Sequence, residues 1–204
     1  MAAERLPDLV QRLNDWGCEW LGHGIAATRM MHSEQSPDVQ SELIQSSLDT
    51  LTRVTGRRPR GWLSQDWGSS PVTYDLLARA GLDYTLDWVN DDQPYWMSPA
   101  PGAASGLLSI PLSSEWDDVQ CQWLRNMEPR AHAALASAAF ERLAGECRQY
   151  QRPAVFGLAL HPWVCGMSSR IAALRELLTS LKKRPDVVWT QPGTLFDDIR
   201  ARQP

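Results

Sequence analysis

The chain has no apolar run approaching the 18 residues a helix needs to cross a bilayer, which excludes an integral membrane protein of the helical type. Its first stretch, MAAERLPDLVQRL, carries charges where a secretory leader needs an apolar region, so a cytoplasmic setting is expected. Cysteine is sparse. Four occur, at positions 18, 121, 147 and 165, without a C-x-x-C pair or any metal-knuckle spacing. That excludes a disulfide framework and points to free, mostly buried thiols in a reducing compartment. Positive charge is not in excess either. A net charge of −4 argues against nucleic acid or an anionic membrane surface as the partner. Internal repeats and low-complexity segments are absent.

The chain does hold enough to build a core. Its 204 residues, 43% of them hydrophobic, suit a single domain spanning 1–204. Ten tryptophans are unusual. Most suit core packing and interfaces, but aromatic faces beside a pocket also suit a sugar or a planar heterocycle.

Strand and helix patterns alternate along the chain. PDLVQRLNDW reads as a helix with Pro7 early, where its missing N–H is harmless. SPDVQSELIQSSLDTLTRVTG is the clearest helix, capped by Ser36, followed by Pro37 and stopped by Gly56. SPVTYDLLARAG, EPRAHAALASAAFERLAGECRQY, SSRIAALRELLTSLKKR and GTLFDDIRAR read as further helices. Between them, CEWLGHG, RGWLS, LDYTLDW, LLSIPLS, AVFGLALHP and DVVWTQP read as strands. AVFGLALHP is almost wholly apolar, as in a strand buried on both faces. NDDQPYWMSPAPGAASG reads as a long loop. Strand–helix alternation predicts a mostly parallel sheet with right-handed crossovers, closed or partly closed as a barrel.

In such folds the residues just past the strand C-termini build the site. That rule selects His23, Ser64, Asp66, Asp87, Ser113, Glu115, His161 and Gln191. Two histidines and several carboxylates on one rim suit hydrolytic or lyase chemistry. His23 sits between glycines, which permit close approach of a ligand or of backbone. His161 ends the most apolar strand and precedes Pro162, which biases it to an extended conformation. An imidazole there can act as a general acid near neutral pH. Asp87 can orient or charge-stabilise an imidazole. Each also has a structural alternative: a turn histidine, a core histidine, a strand-end aspartate. Asp91 and Asp92 suit a turn through Asx-type bonds. Arg57, Arg58 and Arg60 cluster before a strand, where arginine can grip a carboxylate or amide oxygen or simply face solvent. His132, in the alanine-rich helix, is expected at the surface, and nothing in the spacing ties His32 to His23.

Four segments, EWLGHG, TGRRPRGWLSQDWGSSPVTYDLLARAGLDYTLDWVNDDQPY, LSIPLSSEWDD and LALHPWVCGMSSRIAAL, resemble the NodB-type polysaccharide deacetylase superfamily. The similarity is strongest to its branch of metal-independent allantoinases and peptidoglycan deacetylase-like proteins. The resemblance implies an α/β fold, a distorted (β/α) barrel, here without its first strand. It implies hydrolysis of a non-peptide C–N bond in an N-acetyl group or a cyclic amide such as allantoin. It matches His161 to the general acid and His23 to the first His of an H-x-x-x-H metal pair. Ala27 stands where the second His would be, and the acidic pair that opens the family's first strand has no match in Asp91-Asp92, Asp117-Asp118 or Asp197-Asp198. A three-ligand zinc site is therefore not assembled, and the cofactor is left unassigned.

The resulting expectation is a hydrolase using His23, His161 and Asp87, with Arg60, Trp62, Asp92, Tyr95 and Trp163 binding a sugar or small-molecule substrate. The alternative is an inactive or truncated relative that only binds such a ligand. An open sheet edge and many tryptophans are compatible with a homo-oligomer.

Overall fold

A computed structural model describes residues 2–98 and 106–202. It divides into two compact units, one running to Trp88 and taking in Pro94–Ile110 and the chain from Thr190, the other comprising Val89–Gln93 and Pro111–Trp189. Among the described residues no helix is long and apolar enough to cross a membrane.

The first unit holds α1 (Ala2–Arg5), α2 (Pro7–Asp15), α3 (Pro37–Thr55), α4 (Pro71–Arg79) and α8 (Pro192–Ala201). Its five short strands are β1 (Leu21–Gly22), β2 (Gly61–Trp62), β3 (Tyr84–Thr85), β4 (Tyr95–Trp96) and β5 (Leu108–Ser109). They form one sheet in the order β1-β2-β3-β5-β4, parallel except where β4 runs against β5. The helix boundaries follow from local chemistry. The Ser36 hydroxyl accepts the Val39 N–H at the start of α3, Pro37 takes its first turn, and Gly56 ends it at φ +73°. Ser70 and Thr73 close a reciprocal capping box on α4. The core gathers Met31, Leu43, Ile44, Leu48, Trp62, Leu77, Leu82 and Leu107 between the sheet and α3 and α4.

β4 falls inside the segment expected to be a loop, because Tyr95 and Trp96 find partners in Ser109 and Leu108. The 99–105 part of that segment lies outside the described residues.

The second unit holds α5 (Pro129–Tyr150), α6 (Pro162–Cys165), α7 (Ile171–Lys182) and a π-helical turn, Val119–Leu124. Ala136, Phe140, Leu177 and Leu181 form its core, with Trp116 stacked on Phe156 at 5.1 Å. The expected strand AVFGLALHP is only partly buried and makes no ladder. Its backbone is instead satisfied by single bonds: the Val155 N–H donates to the Asp92 carbonyl and the Ala159 carbonyl accepts the Asp118 N–H. DVVWTQP likewise forms no ladder.

Candidate active site

In the first unit the site begins with the glycines beside His23. A Cβ on Gly22 would stand 2.3 Å from the Trp62 ring, so glycine is what lets β1 lie against that indole. Gly24 has φ +77°, and a Cβ there would stand 2.1 Å from the Gln65 side-chain oxygen. The pair thus lets the backbone turn tightly beneath an exposed imidazole. His23 Nδ1 lies 2.6 Å from the Leu63 carbonyl. A carbonyl only accepts, so Nδ1 carries the proton and Nε2 is left for a ligand or a water.

Asp87 is 2% exposed. Its two oxygens accept the Ser64 N–H at 2.5 Å and the Ser64 hydroxyl at 2.8 Å. Ser64 Oγ in turn accepts the Trp62 indole N–H at 2.9 Å. Burial holds the Asp87 carboxyl above its ordinary value, against the Ser64 and Thr85 bonds and the nearby His23, which lower it. Asp87 therefore braces the turn after β2. That turn is tight: Asp66 and Trp67 both have positive φ, 47° and 51°.

The structure places the other expected residues of this unit elsewhere. Trp62 is 1% exposed and belongs to the core, so the wall expected of it is not there; the large apolar ring is worth more buried under β1 than at a wet rim. Arg60 precedes β2, at the opposite end of the strand from Ser64. Its guanidinium is engaged by Asp83 at 2.6 Å and by both oxygens of Asp197. A cavity of about 250 Å³ at that end is lined by Cys18, Glu19, Arg57 and Arg58 among others. Tyr95 lies half-buried in β4. Gln191 precedes α8 and donates to the Gly17 carbonyl. His32 is exposed and separate from these contacts.

In the second unit the site is an aspartate–histidine clamp. Asp118 is fully buried and takes two bonds from one residue: His161 Nδ1–H at 2.6 Å and the His161 backbone N–H at 2.8 Å. Those two contacts fix both the ring and the chain that bears it. Asp117, also buried, accepts the Gln120 N–H and stands 4.0 Å from His161 Nδ1. With Nδ1 occupied, the partly exposed ring offers Nε2 outward. Beneath it, the Cys165 thiol donates to the His161 carbonyl. Burial, then the neighbouring Asp118, pushes that thiol up to about 11, so it is no nucleophile at neutral pH. Trp163 follows His161 and packs edge-on to its ring at 5.9 Å. Asp92 is exposed, its carbonyl taken by Val155.

The reading from sequence missed Asp117 and Asp118 by two and three residues: the strand-end rule stopped at Glu115, which is exposed. It also misplaced His132. That side chain is buried; its Nε2–H donates to the Trp116 carbonyl, and its Nδ1 accepts from the Gln122 amide. The first of these bonds anchors Trp116, just before Asp117, and the second ties α5 to the π-helical turn. The spacing of His132, Ala136 and Phe140 on one helix face is the signal that could have found it.

The superfamily's divalent ion can be tested against these donors. Asp117, Asp118 and His161 each bring a ligand atom within 4.8 Å of the others. Both Asp118 oxygens, however, already accept from His161, and Nδ1 would have to give up its proton and its 2.6 Å bond to bind an ion. On the other unit, Ala27 offers no ligand to accompany His23, and Asp87 is consumed by Ser64. The described residues do not fit a catalytic ion with three protein ligands, and no step is derived through one.

Comparison with known proteins agrees with this architecture. No family profile matches the chain. The peptidoglycan deacetylase of Helicobacter pylori is 21% identical over 212 residues, covering 90% of this chain and 72% of its own. The crystal structure of the PuuE allantoinase superposes with a TM-score of 0.88 at 26% identity, over 100% of this chain and 66% of that one. A probable polysaccharide deacetylase from Pseudomonas aeruginosa gives 0.87 at 24% identity, with the same coverage. The chain thus spans about two thirds of the length of these structural relatives. Its fold is the distorted (β/α) barrel of these polysaccharide deacetylase and allantoinase structures.

Proposed function

We propose that the chain carries the acid machinery of a hydrolase acting on a non-peptide C–N bond, in an N-acyl amino sugar or a cyclic amide. The observation that supports this reading is the double clamp of Asp118 on His161. Amide hydrolysis fails at the departure of nitrogen, which is a poor leaving group until protonated. Water adds to the carbonyl carbon, the C–N bond breaks, and the nitrogen leaves with a proton. A His161 imidazolium, its Nδ1–H held by the Asp118 carboxylate, supplies that proton from Nε2. In the first unit His23 holds its Nδ1–H on the Leu63 carbonyl and presents Nε2, which has no partner among the described residues, to a ligand or a water. Four free cysteines suit a reducing, cytoplasmic setting.

The test is turnover of allantoin and of N-acetylated sugars by the purified chain. Acetate and free amine from an N-acetylated sugar, or the ring-opened carboxylate from allantoin, is expected from one class, at a rate unchanged by a chelator or by added Zn²⁺. Ligand binding without product in either class would instead identify an inactive relative, and dependence on Zn²⁺ would overturn the metal-free account. A His23→Ala variant reports whether the first unit's rim shares in the chemistry.

A further inference from the structure

We infer that the exposed face of α2 docks a second copy of this chain as an antiparallel helix pair, independently of the chemistry at His161. Leu6, Leu9, Leu13 and Trp16 recur at steps of three, four and three residues, the spacing that lines side chains along one stripe of a helix. α2 meets α3 and buries Val10 alone. The stripe itself stands in water: Trp16 is 70% exposed, Leu6 51% and Leu9 48%, with Leu13 partly buried. Single apolar side chains are ordinary on a surface. Three leucines and a tryptophan in one row are a patch, and a patch is what a partner covers.

The charges beside the stripe select the occupant. Arg5 and Arg12 flank it on one side, and Asp8 and Asp15 lie one step further round on that same side. Among the described residues Arg5, Asp8 and Arg12 have no side-chain partner, and the Asp15 carboxylate is met by the Gln11 amide alone. Along the helix the signs therefore alternate: plus, minus, plus, minus. Two copies laid parallel would set like charge beside like. Two copies turned about a two-fold axis set Arg5 beside the partner's Asp15 and Arg12 beside the partner's Asp8, four opposite pairs in all. The same register brings the leucines of the two stripes together at the centre, with Leu6 near the partner's Trp16 at each end. An anionic lipid surface fits less well, because Asp8 and Asp15 would face it. One short helix from each copy makes a small interface, so a reversible dimer of micromolar affinity is expected.

Sedimentation equilibrium of the purified chain tests the pairing. A monomer–dimer equilibrium is expected, weakened about tenfold or more by Leu9→Asp and by Trp16→Ala. Asp8→Arg and Arg12→Asp each set like charge against like in a homodimer, so each should weaken it several-fold, more at low salt than at high. Mixed together, those two variants carry opposite charges wherever positions 8 and 12 face each other. Their heterodimer should be tighter than either homodimer, and the double exchange Asp8→Arg/Arg12→Asp should recover the wild-type affinity. Melting curves on dilute, monomeric samples are expected to match the wild type's, because every substituted side chain is at the surface. A chain that stays monomeric, a dimer indifferent to Leu9→Asp and Trp16→Ala, a mixture no tighter than its parts, or a monomer that pellets with phosphatidylglycerol vesicles through this stripe would each overturn the pairing.

Discussion

Replacing Asp118 with asparagine is expected to lower turnover by on the order of 10³-fold or more while leaving the fold in place. The carboxylate does two things for His161. It accepts Nδ1–H, and it accepts the backbone N–H of the same residue, so ring and chain are held together. Asparagine can still accept the His161 backbone N–H through its remaining carbonyl oxygen. Its amide then faces Nδ1 as a donor, so Nδ1 must accept and cannot hold a proton. What remains at Nε2 is the N–H of a neutral imidazole, a far weaker acid. The check is kcat at fixed pH alongside a melting curve. A variant that melts as the wild type does yet turns over at its rate would show that the clamp is only structural.

The largest expected loss of stability belongs to Trp62→Ala. The side chain is buried against Leu43, Ile44 and Leu48 and lies over Gly22. Truncating it removes that contact and leaves a cavity, at a cost of about 3–5 kcal/mol. It also deprives Ser64 Oγ of the indole donor and so loosens the bracing of the turn by Asp87. For a chain of this size the first unit should melt roughly 10 °C lower or more. Trp163→Ala, at an exposed position, should move the melting temperature little. Equal effects of the two substitutions would contradict the placement of Trp62 in the core.

The contrast between these tryptophans shows what the sequence could disclose. Trp62 and Trp163 each sit beside turn-forming residues, and local context gives both the same reading. Burial separates them, and burial is decided by α3, which sequence places but cannot dock. Helices were legible almost to the residue because their signals are local: Ser36 with Pro37, Ser70 with Pro71, Gly56 after the last turn. Strands were legible as apolar runs, but AVFGLALHP shows that such a run need not join a ladder. His23 and His161 were singled out because each ends a strand-like run. Asp118 was not, because its partner lies 43 positions away and no spacing rule connects them. His132 was missed because the alanines around it hide which face of α5 is apolar.

The central claim is that His161 protonates the departing nitrogen. The measurement that bears on it most directly compares His161→Ala with the wild type on two N-acetyl substrates, one releasing a basic sugar amine and one releasing a weakly basic nitroaniline. The sugar amine cannot leave without a proton, whereas the nitroaniline needs little help. The account predicts that the variant loses most of its rate on the first and retains far more on the second. An equal loss on both substrates, or no loss on either, would contradict it.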